Sequence, residues 1–325
     1  MAKPKVAFYW CASCGGCEET IVDLAEDVLK VVEAVDIVLW PVALDYKLEH
    51  VKAWQPGEVT VAFINGTVRL SEQLEWVRLL REKCPFVIAF GSCAHLGGIP
   101  GLANATSRAE IFANKYHRSP TIDNPQKAVP LISSSVDGHH LDLPEFFKDA
   151  KPLDQVIPVD YYLPGCPPPP ENVAAAFTAI LENKLPPKCS VIGVDKALCE
   201  SCPRNETKPD DFTITRFKRV ATSTPDPEKC FLAEGFLCMG PATRGGCGER
   251  CIKGNMPCRG CFGPTPDTLD AGLKMISAIA SHGEADTEEA AKAFADSLVD
   301  PLGTLYRFSL PASMLRRRAM AGAEQ

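Results

Sequence analysis

Fifteen cysteines against six histidines set the chemistry open to this 325-residue chain. Cys11, Cys14 and Cys17 are each separated by two residues, Cys93 follows Gly91-Ser92, and Cys166 stands in Gly165-Cys166-Pro167-Pro168. That gives five thiols for a four-thiolate site. Residues 199–261 hold eight more, Cys199, Cys202, Cys230, Cys238, Cys247, Cys251, Cys258 and Cys261, with a Cys-x2-Cys pair at each end. Eight thiols in that pattern make two further four-thiolate sites. Thiolates are soft ligands suited to zinc or to iron–sulfur clusters. Spacing leaves both open, but two structural zincs need no third thiol site, so the combination points to iron–sulfur. Gly15 and Gly16 let backbone approach a cluster and donate N–H groups to its sulfurs. Pro167 and Pro168 stiffen the loop that aims Cys166. Cys84 and Cys189 read as buried structural thiols, and so does Cys11, which directly follows a strand.

The rest of the composition narrows the class. Thirty-four basic and 41 acidic residues give a net charge of −7, without the basic field of a nucleic-acid binder. Apolar content of 46% is that of a globular chain, and no run of apolar residues is long enough for a transmembrane helix. Met1–Tyr9 is too short and too strand-like for a signal peptide. An odd cysteine count without a secretion signal argues against a disulfide scaffold and for a reducing, cytoplasmic setting.

Elements that would position these thiols alternate along the first half. Lys5–Tyr9 reads as a strand and Glu19–Val35 as a helix, with Ile21, Leu24, Val28, Leu29 and Val32 on one face. Ile37–Trp40, Val59–Ile64, Phe86–Phe90 and Gln155–Val159 read as further strands. Ser71 is expected to cap a helix over Glu72–Lys83, and a last helix runs from Asn172 to Leu181. Asn65-Gly66 is a simple turn. Strands alternating with helices predict an α/β domain with a parallel sheet. Ligands of such sheets sit outside the carboxyl ends of the strands. Cys11, Cys14, Cys17, Cys93 and Cys166 all follow strands and so share that edge, whereas Cys84 precedes one. The stretch 94–154 is too long for an ordinary loop and reads as a functional excursion. Leu185-Pro186-Pro187 places a boundary near Lys188. Beyond it, 189–265 has too little apolar area to order itself without metal. Thr268–Ser281 and Thr287–Leu298 read as helices, and 302–315 as an apolar segment of no clear period.

Trp10-Cys11-Ala12-Ser13-Cys14-Gly15-Gly16-Cys17-Glu18, Phe90-Gly91-Ser92-Cys93-Ala94-His95-Leu96-Gly97-Gly98 and Pro164-Gly165-Cys166-Pro167-Pro168 together resemble the small, electron-transferring subunit of [NiFe] hydrogenases. The likeness extends through Cys199-Glu200-Ser201-Cys202-Pro203-Arg204 and Pro257-Cys258-Arg259-Gly260-Cys261, and covers about residues 5 to 265. It is greatest to the cytoplasmic methyl-viologen-reducing, F420-non-reducing type associated with heterodisulfide reductase. The resemblance implies a flavodoxin-like domain (1–188) and a two-cluster iron–sulfur domain (189–265); the helical or extended tail beyond it (266–325) is expected, from its own apolar segments, to contact a partner.

By motif, the resemblance also implies three [4Fe–4S] clusters and no catalytic residue in this chain. The proximal cluster falls to Cys14, Cys17, Cys93 and Cys166, and Cys11 is left out. The distal one falls to Cys199, Cys202, Cys230 and Cys238, where respiratory relatives begin with histidine. The medial one falls to Cys247, Cys251, Cys258 and Cys261, where those relatives have three cysteines and a proline. A fully cysteine-ligated medial cluster should sit at low potential. Implied partners are a [NiFe] large subunit, a [2Fe–2S] electron-transfer subunit and heterodisulfide reductase subunits. A subunit of complex I has adjacent cysteines in its first motif, whereas Gly15 and Gly16 separate Cys14 from Cys17. An F420-reducing hydrogenase is the nearer alternative. A nucleotide-binding role is weakened because the first loop is not a phosphate loop, and a zinc scaffold remains as the non-redox reading.

Glu18 could serve a proton path or a partner contact, beside the plainer reading of a first-turn acid favoured by the helix dipole. His95 could hydrogen-bond near the proximal cluster, or be a satisfied structural histidine. Arg204, Arg244 and Arg259 could balance cluster charge, with solvated arginines the plainer expectation. Arg316-Arg317-Arg318 reads as solvated tail or subunit contact.

Overall fold

The computed structural model describes residues 3–315. Its centre is an all-parallel sheet of six strands: β1 (Lys5–Trp10), β2 (Asp36–Leu39), β3 (Val61–Asn65), β4 (Phe86–Phe90), β5 (Tyr161–Leu163) and β6 (Ser190–Val191). The spatial order is β6-β5-β4-β3-β1-β2. This is the flavodoxin-like order with one added edge strand, and the direction of winding reverses between β1 and β3. The central strands are buried on both faces, which is why Val61–Asn65 and Phe86–Phe90 are near-continuous apolar runs. Successive side chains feed two cores. Val6, Phe8, Phe63 and Phe90 pack with Ile21 and Phe177 on one face, while Ala7, Tyr9, Ile64 and Ala89 pack with Val77 and Leu80 on the other.

Several boundaries differ from the sequence reading. The helix expected over Glu19–Val35 is two helices, α1 (Gly16–Val22) and α2 (Asp27–Ala34), broken where Ala25 takes φ +52°. Ser71 does not cap the next helix but begins it: in α3 (Ser71–Lys83) the Gln73 side chain accepts from the Arg69 and Leu70 N–H groups. The Ser71 hydroxyl instead accepts from the Glu145 N–H, pinning the long excursion. The strand expected at Gln155–Val159 lies at Tyr161–Leu163, because Ile157 and Val159 bury in the core below the sheet. Asp160 then joins the sheet, its carboxylate accepting from the Val87 N–H (2.9 Å), Arg81 (2.5 Å) and Lys188 (2.9 Å). The strand Ser190–Val191 carries the sheet past Lys188. The 94–154 excursion is itself structured, with α4 (Gly91–Leu96) leading into a 3-10 turn and an exposed hairpin of Ser133–Val136 with His139–Asp142. Its last strand, Phe146–Lys151, pairs antiparallel with Val68–Leu70. Helix α5 (Pro170–Leu181) then returns to the sheet.

The second lobe has its own core of Leu198, Phe231, Phe236, Met239, Ile252, Met275, Ile279, Leu305, Tyr306 and Leu310. A third of the whole cluster around these residues comes from the tail: from α6 (Ala271–Ser281), from Leu305 at the end of α8 (Pro301–Leu305), and from Tyr306 and Leu310 beyond it, with Phe294 of α7 (Glu288–Ser297) packed against them. Asp270 and Thr287 cap α6 and α7 by accepting from Leu273 and Ala290 N–H groups. The tail also closes on the first lobe: the Gly98 N–H donates to the Phe308 carbonyl (2.9 Å), and a Cβ at Gly97 or Gly101 would collide with Pro311. The tail expected to contact a partner thus also completes this chain with its buried face, while Leu269, Leu273 and Ile276 remain exposed. Arg316-Arg317-Arg318 lies outside the described residues. Among the described residues, no helix is long and apolar enough to cross a membrane.

Candidate metal centres

All fifteen cysteines are free thiols. At the carboxyl edge of the sheet, beside the β1/β3 reversal, Cys14, Cys17, Cys93 and Cys166 come close enough for their charges to interact. Two glycines make this convergence possible. A Cβ at Gly91 would strike the Cys17 sulfur, and a Cβ at Gly98 would lie 2.8 Å from Cys93 Cα and against its sulfur. Both sit at positive φ, +84° and +56°. Cys11 is not among the four: it is buried in the core, with its N–H donating to the Asn65 carbonyl (2.8 Å). Cys84 is likewise buried at the other end of the sheet, as expected. Cys189, expected to be buried, is exposed: it closes an exposed run from Pro187 that leads into the edge strand β6.

The eight later cysteines divide into two further quartets. Cys199, Cys202, Cys230 and Cys238 line one cavity of about 30 Å³, walled by Leu198, Phe231 and Ile252. Cys247, Cys251, Cys258 and Cys261 form the other, linked by mutual repulsion of their charged forms. The three quartets make a line. Cys261 of the last neighbours Cys166 of the first and accepts a hydrogen bond from its backbone N–H. At the other end the Cys258 N–H donates to the Cys238 sulfur (3.3 Å). Ser92 reinforces the first junction, its hydroxyl shared between the Gly165 and Cys261 carbonyls. The quartet made last in the chain therefore stands between the other two.

The donor sets suit a positively charged inorganic core. Burial, then the neighbouring thiols, pushes Cys93, Cys199 and Cys261 up to about 12 and holds Cys17 well above the ordinary thiol range. Cys238 is pushed up to about 11, and burial likewise raises Cys258. Thiolates so crowded need cationic charge among them, and soft metal supplies it. Backbone donors already face several sulfurs: Ile99 at Cys93, Arg204 at Cys202, Gly240 at Cys238 and Gly260 at Cys258, with the Thr243 hydroxyl also on Cys258. Such hydrogen bonds stabilise bound thiolate and tune a cluster. Among the described residues no group of three or more His, Cys, Asp or Glu is placed around a single ion. The quartets are neighbours about a wider space, and four all-thiol donors fit an iron–sulfur core.

Other expected site residues fall differently. Glu18 lies in the first turn of α1, as the plainer reading held, but is only 4% exposed. Its carboxylate accepts from the Trp40 indole and from Asn65 Nδ2 (2.6 Å), and Ser13 in turn donates to Asn65 (2.8 Å). Burial raises its pKa against the pull of those two donors. A carboxylate so enclosed is not displayed to a partner by this chain. Trp40 and Asn65 were not picked out in the sequence, where only a strand end and a turn marked them. His95 is on α4 rather than in a loop; its ring packs at a tilt against Tyr162, with centroids 4.6 Å apart. Burial, with Arg244 nearby, lowers its pKa to about 3, so the ring is neutral, and its Nδ1 has no partner among the described residues. Arg204 and Arg244 are not solvated. Arg204 is 5% exposed, lies over the Phe231 ring (4.0 Å) and donates to the Asp226 (2.9 Å) and Lys229 (3.2 Å) carbonyls. Arg244 is buried against Val194 and Asp195. Arg259, between Cys258 and Cys261, is partly exposed.

Comparison with known proteins places this arrangement. Residues 14–180 match the family described as NADH ubiquinone oxidoreductase, 20 Kd subunit. The fold is shared with a [NiFeSe] hydrogenase from Desulfovibrio vulgaris Hildenborough, at a TM-score of 0.52 and 18% identity over 82% of this chain and 96% of that one. The iron-sulfur subunit of an F420-non-reducing hydrogenase from Archaeoglobus profundus is 41% identical over 97% of this chain and 98% of its own length. The corresponding subunit of the F420-non-reducing hydrogenase of Methanothermobacter thermautotrophicus is 36% identical over 96% of each. A flavodoxin-like sheet with thiol quartets at its carboxyl edge and in a second lobe thus defines a class, the electron-transferring small subunit of a hydrogenase, whose catalytic site is in a large-subunit partner. Within that class the chain belongs to the family of F420-non-reducing hydrogenase iron–sulfur subunits.

Proposed function

We propose that this chain passes electrons from H2 oxidation on a [NiFe] large subunit through three [4Fe–4S] clusters to a low-potential acceptor of the heterodisulfide reductase type. A [2Fe–2S] electron-transfer subunit would receive them within a cytoplasmic complex. The observation that carries this reading is the unbroken line of thiol quartets, joined at Cys166–Cys261 and at Cys238–Cys258. In this reading Cys14, Cys17, Cys93 and Cys166 hold the proximal cluster, Cys247, Cys251, Cys258 and Cys261 the medial, and Cys199, Cys202, Cys230 and Cys238 the distal. When bound, the clusters supply one-electron chemistry. The protein's part is to fix their order, aim N–H groups at the sulfurs and exclude water with Phe231, Phe236 and Met239. Exposed Cys14 and Cys166, with half-exposed Trp10 nearby, make this edge the face for the large subunit. An F420-reducing acceptor is the alternative; the name F420-non-reducing, carried by relatives 36% and 41% identical, supports the first reading.

The test is iron, acid-labile sulfide, nickel and zinc in the anaerobically purified assembly, resolved by subunit. The expected result is about twelve iron and twelve sulfide on this chain, with nickel on a larger companion. Zinc without sulfide would overturn the reading, and three clusters without a nickel partner would replace hydrogenase with another redox module.

A further inference from the structure

A cavity of about 200 Å³ opens in the second lobe behind the Cys247–Cys261 quartet. Lys218, Arg219, Arg259 and Arg307 line it, against the single carboxylate of Asp300, between walls that include Phe217, Phe236 and Leu298. The whole chain carries a net charge of −7, so four cations about one small space are a local inversion. None of the four is in an ion pair among the described residues. Asp300, whose Oδ1 accepts from the Gly303 N–H (2.9 Å) as the cap of α8, offsets one of the four charges and leaves the cavity cationic. Among the described residues Arg307 gives only its Nε–H to the Gly303 carbonyl (3.0 Å), and its terminal nitrogens make no hydrogen bond there. Lys218 lies 5.7 Å from the Phe236 ring. Arg259 makes no hydrogen bond among the described residues and shares the cavity with Arg307, close enough for their charges to repel.

We infer that this cavity binds a small phosphate-type oxyanion. Guanidinium forks match tetrahedral oxyanions through paired N–H donors, and the apolar walls strengthen the attraction by lowering the local dielectric. A bound anion satisfies the unpaired donors of Arg259 and Arg307 and removes their mutual repulsion. It also has a consequence for the neighbouring thiols, which rests on the cluster reading above. Arg259 stands between Cys258 and Cys261, so an anion that draws off its charge lowers the medial midpoint potential.

Inorganic phosphate is the probe, titrated calorimetrically into the anaerobically purified holo-complex at low, constant ionic strength with chloride as control. The expected result is one saturable phosphate site per chain that chloride does not fill. Arg307→Ala weakens it about tenfold or more, and exposed Lys218→Ala weakens it several-fold, with iron content unchanged in both. Absence of saturable phosphate binding, or equal binding in all three proteins, overturns the site. An EPR-monitored redox titration separates the second claim: the medial midpoint falls with phosphate in the parent and not in Arg307→Ala. Binding without that movement leaves an anion site and overturns its role in electron transfer.

Discussion

Gly98→Ala tests the first quartet at its tightest point. Gly98 has φ +56° and ψ −161°, a conformation open in practice only to glycine, so the substitution costs about 1–3 kcal/mol in backbone strain. Strain alone would not disturb a metal site. The added Cβ, however, lies 2.8 Å from Cys93 Cα and 3.0 Å from its N, atoms that cannot rotate away. Reaching the ~3.5 Å of ordinary carbon contact requires a shift of at least about 0.7 Å. Metal–ligand distances tolerate only about 0.2 Å. The variant should therefore lose about four iron and four sulfide per chain while keeping about eight of each in the later quartets. Gly57→Ala is the control: φ is +83°, yet nothing lies within 4 Å of its new Cβ. It should cost about 1 kcal/mol and keep all its iron. Iron and sulfide assays with EPR of the reduced proteins read the difference. A Gly98→Ala protein with the iron content and spectrum of Gly57→Ala would refute the placement of Cys93 in a ligand set.

Other expectations are more direct. Asp160→Asn should cost about 3 kcal/mol, the lower range for breaking a buried pair, since Arg81 is partly exposed. Burial opposes ionisation of Asp160, but hydrogen bonds from Arg81, Lys188 and Val87 outweigh it and lower its pKa. Its stabilisation is therefore full above the unfolded value of about 3.9 and is lost as pH falls through the lower folded value. Denaturant unfolding followed from about pH 3 to 7 should show this acid-dependent increment in the parent and not in the variant. Truncation after Pro266 removes Met275, Leu305, Tyr306 and Leu310 from the second core. It should leave only about four iron of twelve, and full iron with weakened assembly would leave the tail to partner contact alone. Cys11→Ala should cost about 1 kcal/mol and no iron, whereas Cys166→Ala should remove one cluster's worth; calorimetry and metal analysis decide both.

What the chain disclosed in advance follows physical lines. Buried strands such as Phe86–Phe90 announce themselves as apolar runs, and cysteines placed after them must share an edge once the sheet is parallel. Pairwise features were hidden. Nothing local marks Asn65 and Trp40 as partners of Glu18, since both reach it through the fold across 47 and 22 residues. Arg204 resembles any exposed arginine until Phe231 and the Asp226 and Lys229 carbonyls close over it. Ser71 carried the composition of a cap, but Gln73 took that work and freed its hydroxyl for Glu145. Pro158 and the apolar pair Ile157 and Val159 imitated a strand where the chain dives into the core. Gly91 and Gly98 did leave a signal, glycines flanking Cys93 on both sides, but it becomes meaningful only when the sulfurs they admit are in view.

The order of the three quartets along the line has a consequence for how the protein is made. A ribosome delivers Cys14 through Cys166 first, then Cys199 through Cys238, and Cys247 through Cys261 last. The two ends of the relay thus emerge before the station that connects them. That station lies against a core which stays incomplete until Leu310 has left the exit tunnel. Leu198, Phe231 and Cys238 belong to that same core, so both later quartets wait for the tail, and a chain interrupted before Leu310 has only the first lobe's quartet in a finished setting.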